Sequence, residues 1–189
     1  MTTDNTPRIY VADLAARNNG DLIGQWIDLD AGMDVDDLTS IIETKVLLPG
    51  NEEWSVDDYE GFGTIRLNEH VSLDTVLAHV ERMDDDPGKY FAWVANVGQD
   101  YADGYDADKV DGPYASLSEW FDGYIENVFG SYDLAEVLTD NGMDKRAAAS
   151  LAELVTWIDA DQFALIMSCN AGISLTEVPG YGFYAVDNT

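Results

Sequence analysis

Basic residues are what this sequence has least of: nine Lys and Arg stand against 37 Asp and Glu in 189 residues, a formal net charge of −28. So few cations exclude a protein that grips phosphates. The surplus of anions repels nucleic acid, anionic membranes and most phosphorylated substrates, and it attracts basic surfaces. Cysteine is nearly absent as well: Cys169 stands alone and cannot close an internal disulfide, which fits a reducing compartment. Histidine occurs twice, as His70 and His79, in no metal-ligand spacing with Cys169, and both are read as structural. Apolar runs are short, such as Phe163 to Met167, so no transmembrane helix is expected. The first seven residues have neither the basic start nor the apolar stretch of a secretory signal. The expected location is the cytoplasm, with neither membrane nor nucleic acid as a partner.

What is present argues against disorder, the usual meaning of so acidic a composition. The hydrophobic fraction is 46%, with five Trp, ten Tyr and six Phe, enough to pack a core. The chain is therefore a folded protein with an almost polyanionic surface. Its acids are spread along the whole length: Asp34, Asp36 and Asp37; Glu52, Glu53, Asp57, Asp58 and Glu60; Asp84, Asp85 and Asp86; Asp100, Asp103, Asp106, Asp108 and Asp111; then Glu119, Asp122, Glu126, Asp133, Glu136 and Asp140. No segment is a charged tail, and these positions are the candidate functional surface. Duplex DNA carries one charge per about 1.7 Å of axis, so 28 charges correspond to roughly 48 Å, or about 14 base pairs, and a dimer to about twice that. Such a surface can stand in for DNA. A compact chain of this length has a radius of gyration near ~16 Å; self-repulsion favours a larger, elongated body.

The pattern predicts an α+β fold made of three small modules in an elongated chain. Residues 1–63 read as an N-terminal antiparallel sheet with one helix, 64–98 as a short helical middle, and 99–189 as C-terminal helices with a β-hairpin. Ile9 to Leu14 alternates as a strand, Asn18-Asn19-Gly20-Asp21 signals a turn, and Leu22 to Leu29 is a second strand. Asp34 caps a helix bearing Leu38, Ile41, Ile42 and Val46. Glu53 to Tyr59 returns as a strand, with Trp54 and Val56 on one side. Ser72 opens a helix with Leu73, Val76, Leu77, Val80 and Met83 at helical spacing, ended by Asp86-Pro87-Gly88. Tyr90 to Val97 is a second short helix, and Gly98 to Pro113 a linker. Ser116 and Glu119 form a capping box before the stripe Leu117, Trp120, Phe121, Tyr124, Ile125 and Val128. Asp133 to Thr139 is a further helix, closed by Asn141-Gly142. A third begins at Asp144 with Leu151, Leu154, Val155 and Ile158 buried. Ile173 to Val178 and Gly182 to Val186 form a hairpin around Pro179-Gly180.

Each pattern that invites an enzymatic reading fails on its context. Gly180-Tyr181-Gly182 and Ala185 imitate a dinucleotide fingerprint, which must open a helix after a strand; here a hairpin turn fits better. Asp106, Asp108, Asp111 and Gly112 imitate a calcium loop, but Val110 and Leu117 stand where ligands are required. A solvated acidic loop is the reading for Asp103 to Asp111. Cys169 follows an apolar stretch and reads as a small buried residue. Trp120, Phe121 and Tyr124 at helical spacing read as core rather than as a partner face. There is no phosphate-binding Gly-Lys-Ser/Thr loop, nucleophile elbow or zinc signature. No catalytic residue, cofactor or metal is expected, and the protein is not read as an enzyme.

One long segment is distinctive. Arg8-Ile9-Tyr10-Val11-Ala12-Asp13-Leu14-Ala15-Ala16, then Asn18-Asn19-Gly20, then Gly24-Gln25-Trp26-Ile27-Asp28, closely resembles the opening of ArdA-type antirestriction proteins. Tyr114-Ala115-Ser116-Leu117-Ser118-Glu119-Trp120 resembles that family's capped acidic helix. Ser150-Leu151, Trp157-Ile158-Asp159 and Phe163 resemble its late helix, and Gly182-Phe183-Tyr184 its closing hairpin. The chain departs from the family after Phe163, where Ala164-Leu165-Ile166-Met167 is more apolar, and in a longer, more acidic loop around Asp103 to Asp111. The resemblance implies a DNA mimic of three small modules that dimerises through its C-terminal module. It further implies that the carboxylates replace B-DNA phosphates in the groove of type I restriction-modification enzymes, on their methyltransferase and specificity core, and so protect an incoming mobile element. Leu165, Ile166 and Met167 are the expected homodimer interface.

Three rival readings accompany that expectation. An acidic surface of the halophilic kind only keeps a protein soluble in salt and predicts unfolding at low salt. A decoy or chaperone for another basic DNA-binding protein predicts displacement of DNA from other partners. An enzyme or calcium protein with its site hidden in acidic loops predicts a metal held by Asp103, Asp106 or Asp108.

Overall fold

The computed structural model describes residues 6–129, 133–155 and 159–189. They form two compact units, one ending at Tyr105 and the other starting at Asp106. The fold is α+β, with an N-terminal antiparallel sheet and C-terminal helices followed by a hairpin.

The first unit is built on a three-stranded sheet in the order β2-β1-β3, formed by Arg8–Asp13 (β1), Gly24–Asp28 (β2) and Trp54–Glu60 (β3). Both pairings are antiparallel. The connection from β1 to β2 is more than the expected turn. Asp13 ends the strand and caps a short helix, Leu14–Asn18 (α1), accepting from the Ala16 amide. Asp34 caps Val35–Ile41 (α2), as its position before an apolar-periodic run predicts, and the helix continues as a π-helical turn through Val46.

Ser72 caps Leu73–Met83 (α3). That helix stops at Met83, ahead of Asp86-Pro87-Gly88 as expected, but the same motif also starts the next helix, earlier than the expected Tyr90. Asp86 accepts from the Lys89 amide and Pro87 takes the first helical position, where its missing N–H costs nothing. The helix Pro87–Val97 (α4) therefore begins three residues before Tyr90. Beneath the sheet, Ile9, Val11, Leu38, Ile42, Val76, Tyr90 and Phe91 are essentially sealed from water.

The second unit opens where a linker was expected. The stretch after Gly98 contains 3-10 turns at Gln99–Gly104 and Ala107–Lys109, and then a strand, Val110–Tyr114 (β4). That strand pairs with Gly182–Asp187 (β6), which also pairs with Ile173–Val178 (β5), in the order β4-β6-β5. Its register slips between Asp111 and Tyr114. Gly112, at φ +132°, brings its backbone so close to Phe183 that a Cβ would meet the carbonyl oxygen at 2.8 Å.

Four helices follow β4: Leu117–Phe129 (α5), Leu134–Asp140 (α6), Lys145–Val155 (α7) and Ala160–Asn170 (α8). The capping box forms as expected, with Ser116 Oγ accepting from the Glu119 amide and the Glu119 carboxylate accepting from the Ala115 amide. Trp120, Met167 and Ala185 make the core, with Phe121, Tyr124 and Phe163 packed half-buried around it. Leu151, expected inside, is 42% exposed, whereas Ala148 of α7 is buried. The side chains of Val128, Leu154, Val155 and Ile158 lie outside the described set. Cys169 is exposed, not buried as its apolar neighbours suggested.

Candidate functional site

The expected acids reach the surface because most sit on caps, turns and outer strand positions, which local chain geometry keeps out of a core. Of the candidate carboxylates every one is exposed except the half-buried cap Asp86. Asp34, Asp36 and Asp37 gather at the start of α2, where acids also complement the helix dipole. Asp106 and Asp133 accept amide bonds at turn and helix starts. Asp111 accepts from the Gly112 amide and from the Tyr114 hydroxyl, and burial with that bond pushes the phenol up. These bonds hold carboxylates in fixed places, which a site made of charge requires.

A β-bulge sets the acids of β3. Val56 pairs with Val11 and Asp58 with Tyr10, so Asp57 is an extra residue. Cross-strand partners share a face. The inserted residue thus turns Tyr59 inward with Ile9 and puts Asp58 and Glu60 outward with Tyr10 and Arg8. Strict alternation from Val56 would have sent both acids into the core.

The few cations of the first unit neutralise part of this charge. Arg8 binds Glu60, with Nε donating at 2.8 Å. Arg17 binds Asp57 at 2.9 Å and also Glu69, and Arg82 binds Asp103 at 2.8 Å. The Glu69 carboxylate and then the Asp57 charge push the Arg17 guanidinium further up.

Asp13 is different in kind. It is sealed from water, yet Oδ1 accepts from the Ala16 amide and Oδ2 from the Leu48 amide, each at 2.9 Å, with Asn51 Nδ2 donating at 2.8 Å. The Leu48 amide, then Ala16 and Asn51, hold it below the ordinary 3.8. It ties β1, α1 and the loop after α2 together.

Sequence reasoning missed exposed acids that stand singly: Asp28, Asp30, Glu43, Glu69, Asp74 and Glu81. A search for runs passes over them; their outward places on helices and strands were the available signal. The expected interface residues separate. Leu165 is 66% and Ile166 52% exposed on α8, whereas Met167 is 8% exposed and belongs to the core. His79 is buried, with Nδ1 2.6 Å from the Tyr90 hydroxyl, while His70 is exposed. Among the described residues, no three His, Cys, Asp or Glu side chains are grouped to hold a metal, and no helix is long and apolar enough to cross a membrane.

The family model described as antirestriction protein (ArdA) matches residues 9–181, from the first residues of β1 into the final hairpin. The chain belongs to the ArdA family. ArdA membership makes it an antirestriction protein, a protein that acts against restriction-modification enzymes. No curated protein matches the chain. The ArdA match gives structural meaning to the distinctive opening segment: it is β1, the Asp13 cap, α1 and β2, the frame from which the acidic face of the first unit is hung.

Proposed function

We propose that this ArdA protein blocks type I restriction-modification enzymes by occupying their DNA groove with carboxylates in place of phosphates. The observation that carries the reading is the exposure of the dispersed acids on both units, many held by caps and turns. Arginine pairing takes up Asp57, Glu60, Glu69 and Asp103 and leaves a large excess of negative charge. No bond is made or broken in this mechanism. Lys and Arg lining a duplex-shaped groove meet anions at DNA-like density, and binding draws on charge attraction that weakens with salt.

The same reading makes the protein a homodimer joined through α8. Leu165 and Ile166 offer apolar surface there, and Cys169, one turn after Leu165, lies open beside them. Met167 is excluded from the interface because it fills its own core.

The test is a competition titration. Protein is added to a type I methyltransferase and specificity core bound to labelled duplex, at low and at moderate salt. Displacement that weakens as salt rises is the expected result. Failure to displace, with the protein folded, overturns the proposal, and displacement from unrelated basic DNA-binding proteins alone transfers the reading to a general decoy.

A further inference from the structure

The outer face of the first sheet holds a feature that dispersed charge does not account for. Across the three strands, one row reads Asp28, Arg8, Glu60 and the next reads Trp26, Tyr10, Asp58. Trp26 and Tyr10 are half-buried, and their rings meet edge to face at 5.6 Å. Tyr10 can lie flat there because the third row begins with Gly24, where a Cβ would meet the ring at 2.7 Å. Arg8 sets its guanidinium over the Trp26 ring, 4.8 Å from the centroid, while binding Glu60. An indole face beside carboxylates is what a guanidinium prefers, through cation–π attraction and charge-assisted bonds together.

We infer that this face is an arginine-recognition patch, with Trp26 as the platform and Asp28, Asp58 and Glu60 as the anions that grip an arginine side chain of a basic partner protein. Three carboxylates against one guanidinium leave the patch negative, so it complements an arginine-bearing surface. Arg8 shows the pose: it occupies from within the place a partner's arginine takes, and the incoming side chain stacks on Trp26 while sharing or displacing Arg8. Trp and Tyr are also the side chains that most often dominate binding at interfaces. The inference rests on the antirestriction reading for the identity of the partner, but not for the chemistry recognised.

The experiment compares a hexa-arginine with a hexa-lysine peptide, titrated calorimetrically into the full-length protein. Wild type is expected to prefer arginine by about three- to ten-fold. Trp26→Leu should abolish the preference and Trp26→Phe should keep most of it. Asp58→Asn combined with Glu60→Gln, which leaves the core side of the sheet untouched, should weaken arginine binding if Trp26→Leu proves poorly folded. Arg8→Ala should strengthen arginine binding more than Lys45→Ala, which removes an exposed positive charge elsewhere. Equal affinity for the two peptides in wild type, or a preference that survives Trp26→Leu, overturns the inference. Arginine preference that tracks Trp26 in a protein unable to displace duplex from the restriction core would sink the DNA-substitute reading and leave this one standing.

Discussion

The two units carry almost the same net charge per residue and finish the packing of their helices very differently. Up to Tyr105 there are 22 acids and six bases; beyond it, 15 and three. Yet the first unit seals Ile9, Val11, Leu38, Ile42, Ile65, Tyr90 and Phe91 away from water and ties Arg8, Arg17 and Arg82 to carboxylates. In the second unit the sheet is well covered, through Val110, Tyr184 and Val186, but the helices leave Phe121, Tyr124 and Phe163 half-buried and Leu165 and Ile166 open. Charge therefore does not distinguish the units; closure of the helices over their aromatic rings does, while among the described residues each unit leaves large apolar side chains open, Leu22, Leu48 and Tyr101 in the first and Leu151, Leu165 and Ile166 in the second.

The sharpest way to break this comparison is to empty an aromatic site in each unit. Phe91→Ala should cost about 3–5 kcal/mol, as for a fully buried ring. Phe163→Ala should cost about 1–2 kcal/mol, because its ring is only half-buried. Chemical denaturation measures both, and equal losses would mean that the second core is as closed as the first.

Next in size is assembly. Leu165→Glu with Ile166→Lys should convert a dimer to a monomer on a sizing column, with helicity unchanged. A dimer that persists would place the interface away from α8.

Acid should act on the first unit through His79 before it reaches the carboxylates held low in both units, Asp13 and Asp187. Burial pushes the His79 imidazole below its ordinary 6.5, and amide bonds hold Asp13 below 3.8. For both, the unfolded chain takes up the proton first. Their stabilisation is thus full above the ordinary value and is lost as pH falls through the lower, folded one. As pH falls below 6.5 the wild type should lose stability relative to His79→Gln, and as it falls below 3.8 relative to Asp13→Asn. Parallel profiles would show that neither proton is linked to folding.

The smallest effects belong to single surface acids. An exposed ion pair contributes about 0–1 kcal/mol, so Asp36→Asn alone should change competition for the restriction core by less than about five-fold. The triple change at Asp34, Asp36 and Asp37 should add up to a measurable loss. A single substitution that abolished inhibition would replace distributed charge with a localised hot spot.

How much of this was legible depended on range along the chain. Helix starts were read correctly at Asp34, Ser72, Ser116 and Asp133 because the signal and its effect lie within four residues. The acidic surface was legible for the same reason: runs of Asp and Glu cannot enter a core unpaired. Asp86-Pro87-Gly88 was read as the stop of α3 but not as the start of α4, because Asp-Pro-Gly marks a break equally well at either side of a helix. Strand β4 was hidden because Gly112 and Pro113 interrupt its alternation, and its pairing depends on β6, far along the chain. Met167 could not be told from Leu165 and Ile166 by type; only the packing against Trp120 separates them. The bulge at Asp57 left no trace in composition, since it is a matter of register between strands.

That bulge also bears on how such a surface changes through inheritance. Removing the Asp57 codon would take out the bulge and let Asp58 follow Val56 in strict alternation, so that Asp58 and Glu60 still face outward with Tyr10 and Arg8 and Tyr59 still faces inward. A triplet gained or lost at such a bulge is therefore absorbed where it occurs, and the residues beyond it keep their faces. A strand built this way can add or drop one acid, here Asp57 with its Arg17 contact, without turning its neighbours over.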